Sequence, residues 1–583
     1  MNAPLSEPLT ADHGAAVETI VRHFRQVLLW PLRLIPAASA GDDENDAQRR
    51  APWRALRELG DASPWREQQD EYTGQPSGFH DRHYNEFVSF LPYVQRFLYG
   101  EGRSARAGDA ESAGSPMRLF RRHDIAAVRL RTGVGEAPLT LEVVHVDLYF
   151  FYGVDVVMLN VEVAANELPL PLVQELMYRF GRAYPGGWYA DGRPQHSLEQ
   201  CEWLDTEGRV LAASDAGERD AYLAHVAEHR APRIAAHWEY ALSPLVNHHS
   251  AHEGPLRFRQ IEYYRMPMMA YLAVDEPQAL SRSEFIRLGL VTGAGEMVPR
   301  SAAALAELRD RGEVSVDLPH AEQQLDDFEQ RFCYDRFWAG AGAAPHTRYL
   351  CSGLSLVVVG DAQNNFYRCS DRGVLAQFRH QHFLLFLIAH FQKATLLMTS
   401  DRLAEALMRL DIERPSSVKR FKRLIRSSFV GFLFFTHRYW FHDVSEQAHV
   451  KALFQLCRDH LRIDPLYAEV KERIDDMNGY LDADALRRQA NTVVRLTVVT
   501  IFGLVGTVTT GFLGMNLFAE ADAPPAAKLG MFLVVFALTV ALTMYTMVKS
   551  KRLSDFLDVV SDERTSVWRK VKAFFAVWGG RRG

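Results

Sequence analysis

Residues 496–515 read LTVVTIFGLVGTVTTGFLGM, and residues 529–548 read LGMFLVVFALTVALTMYTMV. Each stretch runs twenty residues without a charge. At 1.5 Å of rise per residue, about twenty residues cross the roughly 30 Å hydrocarbon layer of a bilayer. Thirteen residues separate the two stretches, so together they predict a helical hairpin through a membrane. A pair of buried core helices is the competing reading, but core helices seldom stay uncharged over such a length. The flanks set the orientation. Arg487, Arg488 and Arg495 precede the first stretch, and Lys549, Lys551 and Arg552 follow the second. The loop between them, LFAEADAPPAAK, carries Glu520 and Asp522 against a single cation, Lys528. The excess of cations on one side predicts an inner (plasma) membrane protein with both termini cytoplasmic and the short acidic loop outside.

Outward from the hairpin, the 583 residues amount to three or four domains' worth of chain at about 100–200 residues per domain. A hydrophobic share of 48% with 24% charged excludes a mainly disordered or collagen-like chain. Lys plus Arg number 66 against 72 Asp plus Glu, a net charge of -6 that argues against nucleic acid as a partner. The five cysteines include no C-x-x-C pair, which excludes a disulfide scaffold or zinc ribbon and suits a reducing compartment.

The rest divides by periodicity. AAVETIVRHFRQVLL, near the start, has the spacing of an amphipathic helix. DDENDAQRR (42–50) and residues 100–116 read as surface loops. RHDIAAVRLRT, LTLEVVHVDLYFF and VDVVMLNVEVAA are rich in β-branched and aromatic residues, and the last two predict a hairpin around Tyr152-Gly153. QIEYYRMPMMAYLAVD and LSLVVVGD are further strand candidates, with helical patterns between them. Residues 1–370 are therefore expected to form a cytoplasmic α/β domain around one main sheet. Residues 371–462 read as cytoplasmic helices, and 463–495 as a stalk helix. That stalk has no strong breaker before the first membrane span, 496–516, so stalk and span form one helix of more than fifty residues. The outer loop (517–528), the second span (529–548) and a basic, amphipathic cytoplasmic tail (549–583) complete the chain.

The first span is striped. Stepping back from Gly514 by threes and fours reaches Gly511, Thr507, Leu504, Thr500, Leu496 and Val493, which share one helix face. That face is small and hydroxylic, with a few apolar constrictions. Tight helix packing uses the same residues, and that reading stays open beside a pore lining. The span ends in Gly514, Met515 and Asn516. Glycine suits a helix end, where the backbone carries partial negative charge. Asparagine adds a neutral amide oxygen. Several copies around an axis would make a ring of carbonyl oxygens suited to a hydrated divalent cation, because magnesium keeps its waters.

A C-terminal two-span hairpin, a long helix running into the first span, and Gly-Met-Asn at its outer end resemble the CorA-type magnesium and cobalt transporter family. The resemblance is clear over about residues 465–552 and only architectural elsewhere. It implies a funnel-shaped homopentamer whose first spans line an axial pore, with Mg2+ both transported and regulatory, and Co2+ or Ni2+ as further cargo. By the same resemblance Gly514, Met515 and Asn516 form the selectivity filter, with Asn516 holding the hydrated ion. Thr507, Leu504, Leu496 and Val493 take pore-facing positions, and Glu520 and Asp522 an outer acidic ring. Leu513 stands where the family usually has an aromatic residue, and the soluble domain is larger than the prototype's. A zinc-transporting branch usually has Ile where Met515 stands. A zinc transporter of the same superfamily, and a membrane-tethered enzyme or sensor, remain alternatives; no nucleotide-binding G-x-x-x-x-G-K-[ST] loop or catalytic motif is found.

Weaker candidates accompany these. His248 and His252 are four apart and would share a helix face as metal ligands, a solvated loop being the plainer reading. Glu469, Glu472, Asp475, Asp476, Asp482 and Asp484 line the stalk, as regulatory ion sites or as a solvated face. The basic run from Arg414 to Arg426 and the tail are candidates for contact with membrane lipid.

Overall fold

A computed structural model describes residues 19–35, 51–68, 81–100, 116–133, 136–261, 265–294, 322–411, 414–514 and scattered positions of 524–545. The chain divides into two compact units, Met1–Glu472 and Arg473–Gly583. The first is an α/β sheet domain with a helical layer.

Its sheet holds fourteen strands among the described residues. The centre is Ile20–Ile35, hydrogen-bonded antiparallel to Val156–Pro169 on one side and to Met268–Val274 on the other. Val156–Pro169 pairs in turn with Leu139–Phe151, giving the hairpin expected around Tyr152-Gly153, where Gly153 takes the left-handed conformation the turn needs. Met268–Val274 runs parallel to Ser355–Asp361; of the stretch 260–275 read as one strand, Met268–Val274 is extended, and Gln260 is the last residue of a separate strand, Arg257–Gln260. All five cysteines are free.

The expected N-terminal helix is instead this central strand. The cause is a bulge. Register slips between Val21 and His23, so Val21 and Phe24, three apart, point into the same core as Leu28, Trp30, Leu32 and Leu34. One extra residue in a strand thus imitates the spacing of a helix. Pro31 is tolerated because Leu29, two residues earlier, sends its N–H to Pro267 O. Position 31 faces the same edge, between the end of the Met268–Val274 pairing at Leu28 and the start of the Arg257–Gln260 pairing at Leu32.

Alternation along the strands builds two faces. On one, Trp30, Trp203, Phe180 and Trp238 pack with ring centroids 5.5–6.3 Å apart, beneath helices Leu170–Arg179 and Ala236–Leu242. On the other lies the helix Phe383–Met408. Phe391 stacks on Phe151 at 3.8 Å, and Phe383 meets Tyr149. The second interface encloses charges. The Glu162 carboxylate, 2% exposed, accepts from Arg25 at 2.7 Å and from Arg379 at 3.0 Å, with His145 at 3.5 Å. Burial alone would raise its pKa; His145, Arg379 and Arg25 outweigh that and hold it below the ordinary glutamate value. Arg379 reaches it from Phe378–His382, a single π turn leading into the long helix.

Among the described residues one helix, Val374–Met408, is long and apolar enough to cross a membrane, and its apolar part is 83% buried within the protein. That burial marks the core helix of a globular domain, and it fits HFLLFLIAHF (382–391) as a buried segment. The helices that follow, Pro415–Arg438, Ala448–Leu461 and Ile463–Leu513, fall where the periodicity put them.

Candidate functional site

The helix Ile463–Leu513 is 51 residues long, about 77 Å at 1.5 Å per residue. Its only proline, Pro465, sits in the first turn, where a missing N–H costs nothing. Gly479 lies in its interior with open space around it, a weak point a long helix absorbs. The helix closes at Gly514, whose N–H donates to Thr510 O at 3.0 Å. Its apolar part among fully described residues, Gln489–Leu504, is shorter than a membrane crossing.

The striped face is exposed. Val493, Leu496 and Leu504 are 57%, 67% and 64% exposed, and Thr500, Thr507, Gly511 and Gly514 are exposed as well. Val498, off that face, is buried. Apolar side chains in such a row need a cover of lipid or protein.

Four threonines of this helix are held in the same way. Thr497, Thr500, Thr507 and Thr510 each donate the hydroxyl proton to the carbonyl four residues back, at 2.8–2.9 Å. A hydroxyl has one donor and two acceptor lone pairs. With the donor spent on the helix, what each offers its surroundings is an acceptor. An acceptor of this kind can receive a hydrogen bond from water and offers no proton to an anion. Gly503 and Gly511 have nothing within 4 Å of a would-be Cβ, so the helix surface there admits a close neighbour.

Met515, Asn516, Glu520 and Asp522 lie outside the described residues, as do the loops at 42–50 and 101–115 and the tail beyond 545. In the second apolar stretch, Leu529, Leu533, Val534, Leu538 and Tyr545 are described; each is helical and exposed. The stalk acids Glu469, Glu472, Asp475, Asp476 and Asp482 are all exposed, a solvated helix face in the single chain. On Pro415–Arg438, Phe421, Ile425, Phe432 and Phe435 are buried while Lys419, Arg420, Arg423 and Arg426 are exposed, so the basic run is the outer side of an amphipathic helix.

For His248 and His252 the solvated-loop reading holds, and the shared helix face does not. His248 and His252 do not share a helix: they follow the short strand Val246–Asn247 in a turn, where Asn247 and Ser250 side chains accept from the His249 and His252 N–H groups. The neighbouring His249 instead meets His225 and His229 on the helix Arg219–His229. The H-x-x-x-H spacing of 225 and 229 was the available signal; its third partner, twenty residues on, had none. Among the described residues no group of three or more His, Cys, Asp or Glu is set to hold a metal ion as the side chains stand. Comparison with known protein families, with characterised proteins and with solved structures finds no match.

Proposed function

We propose that this chain is the subunit of a divalent-cation channel. Copies surround an axis with Val493, Leu496, Thr500, Leu504, Thr507 and Gly511 turned inward, as a homopentamer in the inner membrane with both termini cytoplasmic. A hydrated cation, Mg2+ first, is received at Asn516, and its waters donate to Thr507 and Thr500. Leu504, Leu496 and Val493 form apolar constrictions that close by dewetting. Inward movement of a divalent ion down 100 mV releases about 4.6 kcal/mol, twice the single-charge value, so no coupled hydrolysis is required. Glu520 and Asp522 would concentrate cations at the mouth.

The observation that carries this reading is the helix face that stays exposed although it is apolar, with threonine hydroxyls that have spent their donors on their own backbone. A surface of that kind does not suit bulk water, and its remaining acceptor lone pairs can receive hydrogen bonds from confined water. It suits the lining of a narrow wet conduit built from several copies.

The test is ion flux with the purified chain in liposomes, offering Mg2+, Co2+, Ni2+ and Zn2+ in turn. Mg2+ entry is expected, and Asn516→Ala is expected to abolish it while the assembled mass stays the same. Full entry through Asn516→Ala would remove the filter assignment. Zinc entering in preference to magnesium would move the cargo to the zinc branch. Absence of flux for every ion would leave the hairpin as an anchor for the sheet domain.

A further inference from the structure

His225, His229 and His249 come from separate parts of the sheet domain and meet at one place. The first two are one turn apart on Arg219–His229, where side chains four residues apart lie side by side; their ring centroids are 4.5 Å apart. His249, in the turn after Val246–Asn247, lies 5.0 Å from His229 and 6.2 Å from His225. His248 stands beside His249 at 5.0 Å and is exposed. The Nε2 of His225 is sealed from solvent and has no hydrogen-bond partner, a cost for a polar atom unless something satisfies it. Four imidazoles gathered on a domain edge have no packing role comparable to that of the tryptophan core.

We infer that His225, His229 and His249 form a binding site for a borderline divalent metal ion of the zinc, cobalt and nickel class. A zinc–nitrogen bond is about 2.0–2.1 Å, so two imidazoles at a tetrahedral angle on one ion have ring centroids about 5 Å apart. The three observed separations bracket that value. As the side chains stand, no group of three or more His, Cys, Asp or Glu among the described residues is set to hold a metal ion. Rotation about Cβ–Cγ turns the nitrogens while leaving the ring centroid almost in place, and this torsion is broad for histidine. The His225–His229 and His229–His249 separations already lie near that of a bound site; at 6.2 Å the His225–His249 pair closes by about 1 Å on binding, through a shift of the turn that carries His249, as the rings rotate. Water or His248 completes the shell.

Glu228, 3.8 Å from His229 Nε2, is the carboxylate that offsets an incoming cation. Arg233 is engaged by Asp215 at 2.6 Å. Nitrogen donors select against magnesium, a hard ion that prefers oxygen. The site is thus independent of the pore reading: it belongs to the sheet domain and reads a different class of ion from the proposed cargo.

The experiment is titration of the detergent-purified full chain with Zn2+ against a chromophoric chelator, with Co2+ as a second probe whose visible spectrum reports coordination by nitrogen. One ion per chain is expected, undisturbed by excess Mg2+. His225→Ala, His229→Ala and His249→Ala should each weaken binding by at least the roughly 10–100-fold that loss of even an outer-shell partner costs. His252→Ala should leave it unchanged. The three side chains are only half-buried, and thermal melts without metal check that each variant folds; if one does not, the other two decide. Equal affinity in all three variants, no zinc bound by the parent chain, or displacement of zinc by magnesium would overturn the site. No gradient or membrane is involved, so failure of transport leaves this result standing, and the reverse.

Discussion

Phe383–Met408 and the far half of Ile463–Leu513 are both long apolar helices, and they meet opposite fates. In the first, Phe391, Leu385, Phe386 and Ile388 are fully buried against the sheet and its flanking helices. In the second, Val493, Leu496 and Leu504 are more than half exposed. Composition alone does not separate them, since a core helix and a membrane helix are both short of charge. The difference lies in what covers them. The domain supplies a cover for the first through the odd-numbered face of the Leu139–Phe151 strand, while the row Val493, Leu496 and Leu504 has no such cover among the described residues.

Truncation should break the symmetry between the two helices most sharply. Phe391 touches Phe151, Phe97, Phe435 and Tyr439, so Phe391→Ala removes the middle of an aromatic cluster. A loss of about 3–5 kcal/mol is expected in chemical denaturation of the sheet domain. A loss under 1 kcal/mol would mean that this helix is not the covered core element described above.

Acid supplies a second, smaller contrast. Burial lowers the pKa of His237 to about 3, against an ordinary 6.5, with Asp215 only partly opposing. A depressed folded-state value gives stability that is complete above pH 6.5 and is lost as pH falls from there toward 3. The loss from this one group is about 2 kcal/mol at pH 5. Its ring lies 5.1 Å from Trp238 and 6.5 Å from Trp203, so tryptophan emission follows the transition. His237→Gln should flatten the pH dependence over that window; an unchanged slope would place the acid sensitivity elsewhere. The far helix has no part in this, because Arg495 is the one ionisable side chain between Val493 and Leu513.

The two regions were also unequally legible. Ile463–Leu513 could be read almost to the residue, since a helix is written in local spacing and Gly514 marks its end. The hairpin of Leu139–Phe151 and Val156–Pro169 was equally plain, because β-branched runs flank a turn glycine. The central strand was not, because its bulge at Val21–His23 copies a helical period and its identity depends on two partners more than 120 residues away. Tertiary pairing, not local preference, decided it. The histidine site failed in the same way. The pair on one helix is visible in the spacing, but His249 joins it only through the fold. What was read as an expected filter, Gly514, Met515 and Asn516, rests on a motif whose last two residues lie outside the described structure.

The smallest expected effect is the most discriminating. Leu504 is 64% exposed, so in a dilute, dissociated chain Leu504→Ala should change unfolding by no more than about 0.5 kcal/mol. If copies assemble around an axis as proposed, the same side chain is surrounded by its counterparts. The variant should then lower assembly stability and widen an apolar constriction, raising the Mg2+ leak. The dependence on protein concentration is the reading that matters, because an obligate oligomer's stability cannot be separated from its concentration. A cost of 2 kcal/mol at every dilution would show Leu504 packed within its own chain, as Phe391 is, and the contrast between the two helices would vanish. No cost at any concentration, with no change in flux, would point to a face turned to lipid.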